Sequence, residues 1–478
     1  MPNFSAAFGL AKTQPELDFV DVSLNTDNRL FVDPFALSQK ADRWSQDADH
    51  TVVSFFQTII DSIRQRNEQR ARVLLGHLRE PNETRLGYSR RRVQGAGIGD
   101  MQAEDLFNAL RDSTAVQTGF INSLEESELM IEGISHDKIS DLTTNIIRGE
   151  LAAYTLEQCG LHNITTRDVA MPACFNTDLM DWEERYLALP IYNNRPILLV
   201  PKSIVRRSSA YKHPQYYQHF VMNYLQREEL ANPQSRLVRT LRNGRRRVYK
   251  KDLAQRHPRT KAFLYDFSQR HPEVLQEYRE WLAQAERRGS SSDVDGPNDA
   301  VIAQALINSL RAIPPGDRRA GDYHNLMVGV GEFVFFPNLM HPKKEREIHQ
   351  GRKRIDILFE NGATTGIFVR IPTLRGLPCA YVPFECKNYT TEVENPELDQ
   401  LAGRFAVNRG KLGFLCCRTF QDRLRFVERC RDTFRDDRGL IIPLDDATVI
   451  RLLTLIQTGQ RDAIDGLLSE LVTEVWVG

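Results

Sequence analysis

Long apolar runs are missing from this chain: nowhere in its 478 residues is there a stretch near the roughly 18 apolar positions of a membrane span. Met1 to Leu17 has neither a basic start with an apolar core nor a cleavage site, so a cytoplasmic protein with no membrane partner is expected. Cysteine is sparse and unpatterned. The seven thiols, Cys159, Cys174, Cys379, Cys386, Cys416, Cys417 and Cys430, show no paired metal-ligand spacing and read as reduced core residues. Net charge is absent as well: 63 Lys and Arg balance 63 Asp and Glu, so any attraction to nucleic acid must come from local clustering. There is no HExxH, no ordered Ser/His/Asp set and no Walker loop, which argues against a protease, a zinc hydrolase and a nucleotide-driven motor. Any ATPase activity would have to come from a partner protein.

What remains is an ordinary globular composition, 41% hydrophobic and 26% charged, in a chain long enough for two or three domains. Gly289-Ser290-Ser291-Ser292-Asp293-Val294-Asp295-Gly296-Pro297 lies between two helical patterns and reads as a flexible linker over 289–298. It separates residues 1–288, expected to be an α+β sensor, binding or regulatory part of unassigned fold, from residues 299–478. In the first part a hairpin is expected over Phe19 to Val32, one long helix over Leu142 to Gln158, a buried strand over Arg195 to Pro201, and helices over Gln215 to Leu230 and Glu273 to Arg288. In the second, helices are expected over Asp299 to Ala312 and Tyr323 to Phe335. Strands are expected within Glu345 to Glu360 and over Gly366 to Ile371, Ala380 to Asn388, Leu412 to Cys417 and Gly439 to Leu444, with helices in between and after. The pattern is α/β, one mixed sheet flanked by helices.

Two of those strands carry charges. Asp356 alternates with Ile355, Ile357 and Phe359; Glu385 and Lys387 alternate with Val382, Phe384 and Cys386. Period-two geometry therefore sets the polar groups on faces opposite the apolar ones, and charge in apolar strands needs a reason. Two carboxylates and a lysine are what metal-assisted phosphodiester cleavage requires. The bland alternative makes Asp356 and Glu385 surface carboxylates of edge strands, paired with Arg352, Lys353 or Arg354.

The order of a helix carrying Glu332, a strand with Asp356, a strand with Glu385-Cys386-Lys387 and a helix carrying Gln400 within Asp399-Gln400-Leu401-Ala402-Gly403-Arg404 resembles the PD-(D/E)XK nuclease superfamily. The likeness covers roughly residues 300 to 478, and Mrr-like restriction-type nucleases are nearest in look. It implies a restriction-endonuclease-like fold in which Asp356 and Glu385 hold Mg²⁺, with Mn²⁺ able to substitute. The Cys386 carbonyl and the helix-borne Glu332 would add oxygens, with Glu345 and Glu347 as competitors for the latter role. Lys387 would orient the attacking water or offset transition-state charge, and Gln400 and Arg404, four apart on one helical face, would support the carboxylates or the phosphate. Two departures stand out. Ile355 occupies the place of the motif proline, and residues from Thr373 to Pro378 are inserted between the strands.

Arg236 to Lys261 carries eight Arg and three Lys against one Asp, with Arg236, Arg239 and Arg242 on one expected helical stripe. Together with Arg245, Arg246, Arg247, Lys250, Lys251 and Tyr249, this cluster suits a phosphate backbone; a solvated charged face is the alternative. Tyr88 to Asp100, with Gly95-Ala96-Gly97-Ile98-Gly99, reads as a turn or substrate-facing loop rather than a nucleotide loop. Asp18, Asp21, Asp27 and Asp33 read as turn residues. The expectation is a Mg²⁺-dependent endonuclease acting on DNA in bacterial anti-phage or restriction-type defence, as a homodimer or with a partner protein. The alternatives are RNA cleavage, and a nucleic-acid-binding or assembly subunit with a silent nuclease fold.

Overall fold

Helices dominate the first half, because its apolar residues recur at helical spacing. The structure, a computed structural model, describes residues 2–26, 28–87, 100–121, 123–208, 210–241, 243, 245–288, 299–344 and 356–477. In the first half the elements used below are α1 (Arg43–Arg64), α2 (His136–Ile146), α3 (Arg148–His162), α4 (Met222–Ala231), β1 (Arg239–Thr240), β2 (Arg246–Arg247), α5 (Lys250–Arg256) and α6 (Pro272–Arg288). Asp42 caps α1 by accepting the Ser45 N–H at 2.8 Å. The stripe Val52, Phe55, Phe56, Ile59, Ile60 and Ile63 buries its inner face.

The expected helix from Leu142 to Gln158 is instead two, α2 and α3, broken at Ile147 (φ −89°, ψ 19°). Phe19 to Val32 is not a hairpin among the described residues. Its apolar positions pair with a distant segment: Phe31–Val32 lies antiparallel to Val205–Arg206, and the Val20 N–H donates to the Val200 carbonyl at 3.0 Å. Of the expected strand from Arg195 to Pro201, only Arg195–Pro196 has a ladder partner. Ile197 to Val200 are buried without a ladder. Their N–H groups find other acceptors, as when Leu198 donates to Glu83 and Leu199 to the Thr155 hydroxyl.

The second half comprises α7 (Asp299–Ala312), α8 (Ala320–Phe335), β3 (Leu339–Lys343), β4 (Ile357–Asn361), α9 (Ile367–Arg375), β5 (Tyr381–Lys387), α10 (Asn395–Ala402), β6 (Leu412–Cys417), α11 (Arg423–Arg435), β7 (Leu440–Asp445), α12 (Asp446–Gln457) and α13 (Ala463–Trp476). The strands form one mixed sheet, order β3-β4-β5-β6-β7, antiparallel through the first three and parallel from β5 onward. The parallel steps follow from α10 and α11, which carry the chain back across the sheet. Every residue of β6 is buried, as expected of an inner parallel strand covered on both faces.

Gly366 to Ile371, read as a strand, is the start of α9. Gly366 (φ +79°) turns the chain, the Asp465 carboxylate accepts the Ile367 N–H, and Arg370 pairs with Asp465 at 2.7 Å. Ile367, Phe368 and Ile371 are then buried at helical spacing, so tertiary contacts outweigh the β-branched composition. Of Glu345 to Glu360, the described part of the strand is β4. Residues 345–355, including Glu345, Glu347, Arg352, Lys353, Arg354 and Ile355, lie outside the described residues, as do 88–99 and the linker 289–298.

The two halves have separate apolar cores, one from Phe4 to Leu282 and one from Ile302 to Val475 that also takes Leu161 of α3. They meet at β3, where Gln158 of α3 donates to the Pro342 carbonyl at 3.0 Å.

Candidate functional site

Alternation along β5 decides what Glu385 faces. Phe384 stacks among Phe335, Phe359 and Phe414, which sends Glu385 to the opposite face beneath α10. There it is 0% exposed. Ile357 opposes Phe384 in the antiparallel ladder, so continuing that register by one sets Asp356 opposite Glu385. Asp356 precedes β4 and is pinned at both ends. Its Oδ2 accepts the Cys386 N–H at 2.8 Å, and its carbonyl accepts from His324 Nε2 of α8 at 2.8 Å.

Lys387, two residues beyond Glu385 and on the same face, places its ammonium 2.7 Å from Glu385 Oε1. Gln400 bridges the pair: its amide nitrogen donates to Glu385 Oε1, and its amide oxygen accepts from Lys387 at 3.1 Å. Glu385 Oε2 is buried without a hydrogen-bond partner. Burial, followed by the charge of Asp356, raises the Glu385 carboxyl above its usual range against the opposing pull of Lys387 and Arg404. Burial works against the Lys387 ammonium, but Glu385 and Asp356 outweigh it and raise Lys387. A carboxylate with one oxygen held and one without a hydrogen bond, beside a second anchored carboxylate, suits a hard divalent cation, which takes one or two carboxylates and leaves other positions to water and phosphate. Among the described residues there is no group of three or more His, Cys, Asp or Glu side chains arranged to hold a metal ion.

Asp356, Glu385, Lys387 and Gln400 thus come together. Arg404 joins them through its charge on Glu385 but not through a helical stripe, because α10 ends at Ala402 and Arg404 lies buried beyond it. Cys386 contributes its N–H to Asp356. Glu332 does not join. It lies eight residues beyond His324 on α8, about 12 Å along the axis, and faces the first half of the chain, where its Oε2 is 3.2 Å from the Lys202 ammonium. Burial, and then Asp18, push its carboxyl up to about 8 despite Lys202. His324, which takes the contact with Asp356, carried no sequence signal beyond its place on the helix.

Glu332 borders a buried ionic cluster that the sequence reading missed. Asp18 and Asp33, expected in turns, are buried; Asp33 caps the short helix Pro34–Ser38. His341 of β3 sits between two carboxylates, with Nδ1 3.1 Å from Asp18 and Nε2 3.1 Å from Asp42. The His341 N–H and the Tyr154 hydroxyl also donate to Asp18, at 3.1 and 2.7 Å. Burial opposes a charge on His341, but the two flanking carboxylates outweigh it and raise the imidazole well above its ordinary range.

The basic cluster is likewise rearranged. Arg236 and Arg239 are not on a helix: β1 and β2 form a short antiparallel hairpin, Arg246 opposite Thr240 and Arg247 opposite Arg239. The register sets Arg247 opposite Arg239, a like-charge pair that neighbouring groups must offset. Arg239 pairs with Asp252 at 2.8 Å, and Arg239 and Arg247 lie over the Tyr249 ring at 5.5 and 5.0 Å. Arg236, Arg245, Arg246 and Lys251 are exposed, and Lys250 opens α5 and donates to the Gln218 carbonyl at 2.6 Å. Arg242 lies outside the described residues. No helix among the described residues is long and apolar enough to cross a membrane.

Residues 9–212 match the model of a family described as a domain of unknown function, DUF8370. The match takes in Asp18, Asp42 and Lys202 and ends well before Asp356. No curated protein and no solved structure matches the chain.

Proposed function

We propose that the chain is a metal-dependent nuclease of the PD-(D/E)XK type that hydrolyses phosphodiester bonds in DNA. The observation that carries this reading is the meeting of Asp356, Glu385 and Lys387 around a buried Glu385 oxygen that has no partner. The element order, with α8 before Asp356 and β4 and with α10 after Glu385-Cys386-Lys387, supports a restriction-endonuclease-like arrangement. Asp356 and Glu385 would hold Mg²⁺ or Mn²⁺, which when bound polarises the phosphate and makes water a better nucleophile at neutral pH. Gln400 holds Glu385 Oε1 and leaves Oε2 without a hydrogen bond. Lys387, a compact charge that Glu385 already orients, offsets the negative charge developing on the phosphate. Restriction-type or anti-phage defence is the setting that the family likeness suggests.

The test is incubation of the purified chain with plasmid, linear and single-stranded DNA and with RNA, in Mg²⁺, in Mn²⁺ and in EDTA. Cleavage of DNA that EDTA abolishes is expected; intact substrates in both metals overturn the reading. Gln400→Ala should slow that cleavage about 10- to 100-fold, the usual cost of losing a group that orients a metal ligand, with no comparable fall in melting temperature. The exposed arginine hairpin favours a second reading, nucleic-acid binding without cleavage. Divalent-free DNA binding in a chain that never cuts would select it.

A further inference from the structure

The helical register breaks at one place beside the arginine hairpin. Tyr216–Val221 forms a π-helical turn before α4, a local irregularity that is costly in a plain helix and recurs at functional sites. It sets His219 and Phe220 into an open cleft of about 530 Å³, which Arg227, Arg246, Arg247 and Glu277 also line. That volume lies within the roughly 300–1,000 Å³ of ligand clefts. Two contacts tie the cleft's walls together: Lys250 donates to the Gln218 carbonyl at 2.6 Å and Gln226 to the Val248 carbonyl at 2.7 Å.

One wall carries an aromatic ring, Phe220. Beside the cleft, outside its lining, Phe220 meets Trp281 at 5.9 Å and the buried Tyr278 at 4.9 Å, and Trp281 ends this group with 43% of its surface exposed. Trp281 lies near-parallel to Tyr278, 6.2 Å and 14° apart, and the rest of its indole is left in water. The other wall is cationic. Among the described residues Arg246 and Arg247 have no carboxylate within ion-pair distance, whereas Arg239 beside them is neutralised by Asp252. Glu277 is the single acidic group of the lining.

We propose that this cleft is a binding site for single-stranded nucleic acid, with an unpaired base stacked on Phe220 and Trp281 and the flanking phosphates held by Arg246 and Arg247. A duplex keeps its bases stacked on one another and offers no free π-face to the aromatic wall, so the site favours single strands. The inference deepens the nuclease reading and rests on it for the claim that nucleic acid is the substrate: DNA or RNA with an unpaired segment is what the catalytic half receives.

The experiment uses the full chain in EDTA, so that binding is read without cleavage, with labelled single-stranded DNA, single-stranded RNA and duplex DNA of equal length. Single strands should bind more tightly than duplex. Trp281→Ala and Phe220→Ala should each weaken single-strand binding about 5- to 150-fold, the worth of one stacked base, while leaving duplex binding unchanged. Trp281 is exposed, so its replacement reports on binding even if Phe220→Ala perturbs folding. Arg246→Ala with Arg247→Ala should reduce the slope of log affinity against log salt by about 1.4, two phosphate contacts on a single strand. The DNA and RNA arms identify which strand the site prefers. Duplex binding as tight as single-strand binding, or unchanged affinity in Trp281→Ala and in the double arginine variant, overturns the inference. Binding intact without cleavage in Mg²⁺ would sink the nuclease reading and leave this one standing; cleavage with neutral cleft variants does the reverse.

Discussion

Asp356→Ala and Glu385→Gln are each expected to lower Mg²⁺-dependent DNA cleavage by about a thousand-fold, since a Lewis-acid metal supplies several kcal/mol and each ~1.4 kcal/mol is tenfold in rate. Lys387→Ala should cost about 10²- to 10³-fold, the range for one preorganised group aimed at developing charge. Stability separates loss of chemistry from loss of fold. Glu385 is a carboxylate that burial and Asp356 already disfavour in its charged form. Replacing it by an amide of the same shape removes that cost, so Glu385→Gln should melt at the same temperature as the natural chain or higher. Lys387 keeps a route to water, with 12% of its side chain exposed, and Gln400 remains as a partner. Initial cleavage rates beside thermal melts check this. Full activity in Glu385→Gln, or inactivity explained by an unfolded protein, would count against the assigned roles.

The largest stability effect should come from His341. Its imidazolium is enclosed by Asp18 and Asp42, with His341 and both carboxylates nearly unexposed, and it adopts a positive φ of 49°, a conformation uncommon for a side-chain-bearing residue. Removing one partner of a buried ionic pair leaves an uncompensated charge and costs about 3–5 kcal/mol. His341→Ala should therefore lower unfolding free energy by about that amount in urea titration, through the contact between β3 and the Asp18 and Asp42 segments. The pH dependence has a definite sign. His341 is raised above its ordinary 6.5, so its stabilisation is full below that value and is lost as pH rises toward the folded value. Asp18 and Asp42 are held below their ordinary 3.8 by His341 once burial is overcome, so theirs is full above 3.8 and is lost as pH falls through the depressed values. Glu332, raised to about 8, adds a loss of stability as pH climbs from its ordinary 4.5 toward 8. Stability should decline from about pH 4.5 upward through Glu332 and more steeply above about pH 6.5 as His341 joins, and His341→Ala should remove the His341 share of that decline.

How much of this was readable in the residues depends on how local its cause is. Leu412–Cys417 was legible to the residue because an inner parallel strand needs no polar face, and β5, α8, α10 and β7 followed from the same local patterns. Ile367–Arg375 was not, since its helix is held by Asp465, about a hundred residues away. The site shows the same division. Asp356, Glu385 and Lys387 could be placed by alternation alone, and Gln400 by its helix. Helix identity alone does not fix which face of α8 meets which neighbour: Lys202, 130 residues earlier, takes the Glu332 carboxylate. Asp18 looked like a turn residue for an equivalent reason, its partner His341 lying 323 positions away. The arginine cluster was recognisable by composition, but its hairpin leans on Asp252 and Tyr249, and the π-helical turn that opens the cleft beside it packs its rings against Tyr278 of α6.

The account turns on whether Asp356 and Glu385 hold a metal ion between them. Crystals of the full chain soaked in Mn²⁺ and measured at the manganese edge answer this directly. An anomalous peak about 2.1 Å from Glu385 Oε2 and from an Asp356 oxygen is predicted, the distance of a hard divalent ion from a carboxylate, and it should be absent from Glu385→Gln. Manganese bound only elsewhere, with the Lys387–Glu385–Gln400 contacts unchanged, would contradict it.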